Sequence, residues 1–473
     1  MRENAGEQYD FDQTHTIGMV MDMFLKNPEE SKSVSIAGRL LSVRGQGKIS
    51  FGDIYDETGS IQVIASQETT PDYEDYSQLK VGDWIGVVGN SGMTKRGQPS
   101  IFASDWARLA KTEVSFPDKH HGLTDPDTIY RQRYLDLIVN RDSLGRFKDR
   151  SKIISFVRNL LESEDFMEVE TPILQPLYGG AAAKPFETHH NALDMDMYLR
   201  IAPELYLKRL VVGGLSKVFE IGKVFRNEGI STRHNPEFTM MEAYAAYWDY
   251  EGQMNLTERV VSGASELVNG SMVIEYQGKE VDLTPPWTRE TIDNLVSNSL
   301  GDEVSMDTDL QKLRLYCDKL DIHYSDGYGK GKLLLELYEK LVESNLWGPI
   351  FVTDYPEEVS PLARSHRSRS GYTERFEGIV AGRELCNGYT ELNNPRIQYE
   401  RFKDQESSKG YDDEAMSMDH DYIRALQYGL PPTAGLGIGI DRLVMLLTNA
   451  ASIRDVVLFP TLRPDGFTTS YET

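Results

Sequence analysis

The stretch Lys217–Ala246 decides the reading. It holds Val224-Phe225-Arg226-Asn227-Glu228, then a polar loop with Arg233, His234 and Asn235, then Phe238, Met240, Glu242 and Tyr244 at alternate positions. Lys217–Asn227 and Glu237–Ala246 read as two strands joined by that loop. In a strand, residues two apart share a face. Arg226 therefore projects with Glu228, and Phe238 with Met240, Glu242 and Tyr244. One surface carries arginines that grip phosphate with a planar fork of donors, an aromatic ring that can stack a base, and several acids. Taken alone, the hairpin also fits a solvated surface with scattered ion pairs.

Working outward, three further segments add chemistry. Arg375-Phe376-Glu377 and Arg383-Glu384-Leu385-Cys386-Asn387-Gly388-Tyr389-Thr390-Glu391 read as strands joined by a turn at Ala381-Gly382. Glu377 and Glu384 then sit on paired strands. Two neighbouring carboxylates repel unless a cation joins them, and Mg²⁺ is commonly held by one or two carboxylates plus substrate phosphates. Asn387, Tyr389 and Glu391 alternate, so they share one face; a solvated acidic hairpin fits them equally. Gly435-Leu436-Gly437-Ile438-Gly439-Ile440-Asp441-Arg442 reads as a strand running into a helix. Its apolar residues pack on one side, and its glycines leave the other bare for a flat ligand. Arg442 opens the helix, where anions are favoured. Tight strand-on-helix packing with a structural arginine is the alternative. The spacing is not a dinucleotide-binding fingerprint, and no GKS/T-type phosphate loop exists. Finally, Gly179-Gly180-Ala181-Ala182-Ala183 suits a closely approached ligand, and Glu204 can meet a cation.

The rest of the chain sets the frame. Val34–Leu41, Ser50–Ile54, Ile61–Ala65, Trp84–Val88 and Ile101–Trp106 read as strands, which suits a small barrel such as the OB-fold. Pro117–Thr128 reads as a linker and Tyr130–Ile138 as a short helix. Arg146–Ser163 reads as an amphipathic helix with Phe147, Ile154, Val157 and Leu161 inward. Phe166–Ile173 reads as a strand whose Pro172 demands an edge or an interface. Residues 252–345 read as mostly helical. The expected organisation is α+β: a barrel over 1–115, a linker over 116–145, and a domain over 146–473 built on an antiparallel sheet flanked by helices.

The chain has 473 residues and a net charge of −24. Residues 1–115 hold 11 Lys and Arg against 17 Asp and Glu, so even this region is −6. Any RNA contact must use a few local cations and stacking aromatics rather than a broad positive field. The two cysteines, Cys317 and Cys386, lack metal-ligand spacing and form no disulfide framework, so a reducing cytoplasm is the simplest compartment. No apolar run is long enough to span a membrane.

Together these segments resemble class II aminoacyl-tRNA synthetases, and most closely the lysyl-tRNA synthetases of bacterial type. Pro172 matches the motif 1 proline, Phe225–Glu228 with His234–Phe238 matches motif 2, and Gly435–Arg442 matches motif 3. The resemblance implies activation of lysine by ATP and its transfer to tRNA(Lys), with Mg²⁺ and a homodimer. It implies that Arg226 binds the α-phosphate and that Arg442 lies across the base near the γ-phosphate, as the catalytic pair. Glu228, His234, Asn235 and Gly439 would hold the nucleotide, Phe238 would stack on adenine, and Glu377 and Glu384 would coordinate Mg²⁺. Gly180, Glu204, Glu242, Tyr244, Asn387, Tyr389 and Glu391 would read lysine. Arg44, Phe51 and Gln62 would meet the anticodon. The chain departs from the usual pattern at Gly378, where a bulky apolar residue is common, and at Cys386 and Tyr389. The basic loop Arg364–Arg369 faces phosphates or solvent on this reading. Rivals are an aspartate or asparagine enzyme of the same fold, a paralogue that modifies a protein, and a non-catalytic tRNA-binding protein.

Overall fold

The computed structural model describes residues 9–28, 30–114, 123–408 and 417–464. They form two compact units, Met1–Thr124 and Asp125–Thr473. Part of the expected linker, 116–122, lies outside the described residues.

The first unit is a closed five-stranded barrel. Its strands are ordered Ser33–Gln46, Ile49–Tyr55, Ser60–Ser66, Pro99–Ala110 and Trp84–Met93. Alternate residues such as Val34, Ile36, Val63, Ile85, Val87 and Ile101 fill its interior. The OB-type barrel is thus borne out, and its strands run longer than their apolar cores suggested. A helix before it, Ile17–Lys26, went unread in the sequence. Ile17, Val20 and Phe24 on its inner face join the same core. Thr16 caps it, and Asp56 accepts from the Ile17 amide at 2.8 Å.

The second unit is built on an eight-stranded sheet. The order is Thr288–Thr291, Ile350–Thr353, Arg375–Val380, Arg383–Thr390, Thr433–Gly439, Glu237–Ala246, Lys217–Phe225 and Met167–Glu168. The central pairs are antiparallel, as expected, and the pair at each edge is parallel. One face is apolar. Phe219, Met241, Ala243, Phe351, Leu436 and Ile438 pack there against the helices Arg141–Ser163, Tyr250–Asn269 and Ile440–Leu447. Asp249 caps the second of these helices, and Gly270 closes it in the left-handed conformation, which glycine adopts without a side-chain clash.

Two expectations change. Phe166–Ile173 is not one strand. Met167–Glu168 pairs at the sheet edge, residues 170–173 leave the ladder after the last bond from the Val169 amide to the Phe219 carbonyl, and Leu174–Gln175 joins a separate three-stranded sheet. Proline cannot donate to a ladder, and Pro172 lies in that break. Residues 252–345 are mostly helical with strands between, as expected: four α-helices accompany the hairpin Val273–Tyr276/Lys279–Asp282 and the edge strand Thr288–Thr291. The helix beginning near Arg146 starts at Arg141 and buries Ile153 rather than Ile154.

Candidate active site

The polar face of the eight-stranded sheet is the floor of a cavity of about 550 Å³, within the ~300–1,000 Å³ range of small-molecule sites. Strand register builds it in rows. Glu242, Gly437, Asn387 and Glu377 lie across four neighbouring strands, and Tyr244, Gly435, Tyr389 and Arg375 form the next row. Gly435 is required: a Cβ there would come within 2.2 Å of Glu391 Oε1 and 2.5 Å of Tyr244 Cε1. Leu436, Ile438 and Ile440 are buried on the opposite side, so the alternation seen in the sequence separates core from cavity.

One end is acidic and dry. Glu204 and Glu242 are 4% and 5% exposed. The Tyr244 hydroxyl donates to Glu242 Oε2 at 3.0 Å, and the Tyr389 hydroxyl donates to Glu204 Oε1 at 2.6 Å. Gly180, with φ +89°, lets the chain pass Glu204 so closely that a Cβ there would lie 3.0 Å from Glu204 Cβ. Burial, reinforced by the Glu204 charge, pushes Glu242 up to about 8. Six of the seven residues expected to read lysine line the cavity. Glu391 does not line it, but its buried carboxylate lies on the cavity side of the sheet, where a Cβ at Gly435 would meet Oε1.

A residue that the sequence reading missed ties this end together. Lys208 is fully buried and donates to Glu204 Oε1 at 2.6 Å and to Glu391 Oε2 at 2.7 Å. Its one sequence signal was the four-residue spacing from Glu204, which places both on one helix face.

The other end is cationic. Arg226 packs over the Phe238 ring at 5.2 Å, and its buried Nε has no partner among the described residues. Desolvation lowers its pKa, opposed by the Glu384 charge. Arg442 donates to the Glu384 carbonyl at 2.7 Å and to Glu384 Oε2 at 3.0 Å. Burial works against the Glu384 charge, but Arg442 and then Arg226 outweigh it and hold this carboxyl below its usual range. Glu377 pairs with Arg375 at 2.6 Å, yet burial, with Glu384 adding to it, pushes Glu377 up to about 7. A bulge sets Glu384 opposite Ile379 while Cys386 faces Gly378. Bulges re-aim side chains, and this one turns Glu384 to the cavity side. Ala381 and Gly382 both have positive φ, the two-residue hairpin geometry, which bears out the expected turn. Among the described residues no cluster of three or more metal-ligating side chains exists.

Glu228, His234 and Gly439 line this end too. His234 Nδ1 lies 3.0 Å from Ser231 Oγ; burial and then Arg442 lower its pKa. Asn235 also lines it, but its amide is engaged within the protein, donating to the Glu237 carbonyl at 2.7 Å. Asp441 accepts from the Thr239 amide at 2.6 Å and pairs with Arg150, which fixes the start of the helix carrying Arg442. Two arginines of the basic loop are paired within the protein: Arg367, itself exposed, with Glu374 and Asp249, and Arg369 with Asp293 and Asp354. Arg364 is exposed. The small Gly378 has a partner as well, since a Cβ there would meet Cys386 Sγ at 2.6 Å.

In the barrel, Arg44 and Phe51 are cross-strand partners, and Gln62 lies opposite Asp53. Phe51 is half-buried. Gln62 is buried and its oxygen accepts from Ser100 at 3.0 Å.

Comparison with known proteins agrees with this geometry. Residues 125–463 match the family of class II tRNA synthetases (D, K and N), and residues 34–109 match the OB-fold nucleic acid binding domain. The lysine–tRNA ligase of Thermoanaerobacter pseudethanolicus is 48% identical over 471 residues, covering 98% of this chain and 94% of that protein. The lysine–tRNA ligase of Clostridium novyi is 48% identical over 476 residues, covering 98% and 93%. That of Xanthomonas oryzae is 51% identical over 438 residues, covering 92% and 87%. A barrel and a synthetase sheet in one chain, alike over nearly its whole length to these relatives, place it in a single group: the chain belongs to the lysine–tRNA ligase family of class II tRNA synthetases.

Proposed function

We propose that this chain activates lysine with ATP to lysyl-adenylate and pyrophosphate, then esterifies the lysine to the 3′ end of tRNA(Lys). The observation that carries the reading is the two-ended cavity: buried acids at one end, arginines at the other. An ammonium side chain needs the first, and a triphosphate needs the second.

In this reading Glu204, Glu242 and Tyr389 receive the lysine side chain, and Asn387 and Gly180 hold it nearby. The lysine carboxylate then lies toward Arg226 and attacks the ATP α-phosphorus. Arg226 neutralises charge on the reacting phosphate, and Arg442 does so further along the triphosphate. Phe238 offers a face for adenine, and Glu228 and His234 border the nucleotide. No protein nucleophile is used; rate comes from positioning and charge neutralisation. Glu377 and Glu384 fit a Mg²⁺ ion, because the Glu384 charge adds to the burial that raises the proton affinity of Glu377 and a dication relieves that repulsion. When bound, the ion would neutralise phosphate charge. Arg375 and Arg442 are the partners Glu377 and Glu384 would give up or share.

The barrel would meet the anticodon through Arg44 and Phe51, where stacking serves an acidic surface better than bulk charge. Gln62 would act there by holding Ser100. A homodimer is supported by Met167, Ile173, Leu174 and Leu177, large apolar residues exposed along the segment that includes Pro172. Two free buried cysteines suit a reducing cytoplasm, and among the described residues no helix is long and apolar enough to cross a membrane. The direct test is charging: ATP-dependent attachment of labelled lysine to tRNA is expected. Charging with aspartate or asparagine instead would overturn the reading.

A further inference from the structure

Three acids gather at the lysine end of the cavity, and Lys208 is hydrogen-bonded to two of them. Glu204, Glu242 and Glu391 are 4%, 5% and 1% exposed, and Lys208 is 0% exposed. Lys208 Nζ also lies 5.9 Å from the Tyr389 ring centre and 5.4 Å from that of Tyr422. The groups facing it are therefore Glu204 on its own helix, Tyr389 and Glu391 at the strand end, and Tyr422 on the helix His420–Gln427. Tyr244 and Glu242 complete the cluster from the strand Glu237–Ala246.

The hydrogen bonds divide the carboxylate oxygens. Lys208 takes Glu391 Oε2, whereas Glu391 Oε1 is buried and has no partner among the described residues. That orphaned oxygen sits over the bare backbone of Gly435, which forms the cavity floor. Lys208 and the Tyr389 hydroxyl both bond Glu204 Oε1, so the remaining acceptor capacity of Glu204 falls on Oε2. A buried carboxylate without a cation takes up a proton.

We propose that Lys208 is a positioning residue for substrate selection: it fixes one oxygen of Glu204 and one of Glu391 and leaves their other oxygens to meet one further ammonium. This rests on the reading of the cavity as a lysine site. Burial already pushes Glu391 up to about 8 with Lys208 in place. Removing the cation raises that further, and the pocket then meets its ligand in neutral form.

The test is ATP–pyrophosphate exchange with lysine as a function of pH, in the unsubstituted chain and in Lys208→Met, Lys208→Arg and the double variant Lys208→Met/Glu391→Gln. Lys208→Met should raise the lysine KM by ~30-fold or more, leave the ATP KM within about twofold, and move the acid limb of kcat/KM for lysine upward by about one pH unit or more. The double variant removes a cation and an acid together, so the limb should return toward its original position even if the single variant folds poorly. Lys208→Arg should recover part of the lysine KM because it keeps the charge. A lysine KM and acid limb unmoved in Lys208→Met would overturn the proposal, as would a double variant whose limb stays with the single one. If the unsubstituted chain shows no lysine-dependent exchange, the lysine reading itself fails and takes this inference with it.

Discussion

The two ends of the cavity solve opposite problems. At the lysine end the protein buries acids and balances them internally with Lys208 and tyrosine hydroxyls. At the phosphate end it holds arginines against carboxylates that they can leave: Arg442 on Glu384 and Arg375 on Glu377. The first end holds three acids against one internal lysine, and the second carries arginine–carboxylate pairs. The difference teaches where binding energy is placed. On the proposed reading, a substrate ammonium meets a buried, hydrogen-bonded pocket, whereas a polyphosphate meets arginines already paired with carboxylates.

The largest expected effect breaks the phosphate end alone. Arg226→Ala should slow pyrophosphate exchange by ~10³-fold, the cost of removing a transition-state donor, while the lysine KM changes little and the melting temperature holds. Near-normal exchange would remove Arg226 from the chemistry.

Gly435→Ala should damage the other end. Its Cβ would press on Glu391 Oε1 and Tyr244, so the lysine KM should rise by roughly 30-fold, a few kcal/mol of lost fit, with the ATP KM preserved. Equal loss in both constants would mean that the two ends are not independent.

The pH dependence separates them more gently. Glu242 and Glu391 stand near 8 and Glu377 near 7. As pH falls, the lysine-end acids take up protons first and lose the charge that attracts an ammonium. The lysine KM should therefore climb by about threefold to tenfold between about pH 9 and pH 7, and the ATP KM should respond only about a unit lower. A lysine KM flat across that range would contradict the placement of the acids.

The smallest effect leaves both ends alone. Gly378→Ala brings a Cβ to 2.6 Å from Cys386 Sγ, behind the cavity floor, and should cost about 1–3 kcal/mol of stability in urea unfolding. Adding Cys386→Ala should recover most of it.

Much of this was legible in the chain. Alternation along Phe238–Tyr244 and Gly435–Gly439 placed polar and bare faces on the cavity side because sheet geometry has a strict period of two. Sequence could not show contacts made by register or by a bulge. Glu384 faces the cavity only because the ladder slips one residue between Gly378 and Ile379. Lys208 was missed because a lysine in an apolar helix reads as a snorkelling surface residue until the strand bearing Glu391 is folded over it. The helix Ile17–Lys26 was missed because its stripe is short and lies next to a polar N-terminus. Pro172 did signal a break in the sheet, but which sheet each side joined was set by tertiary pairing.

The most direct test of the central claim, that buried acids select an ammonium, is ATP–pyrophosphate exchange driven by lysine compared with norleucine, which has the same carbon chain without the charge. The account predicts exchange with lysine and at least ~10³-fold less with norleucine in kcat/KM, since the latter leaves the pocket's polar groups unpaired. Comparable exchange with both would contradict it.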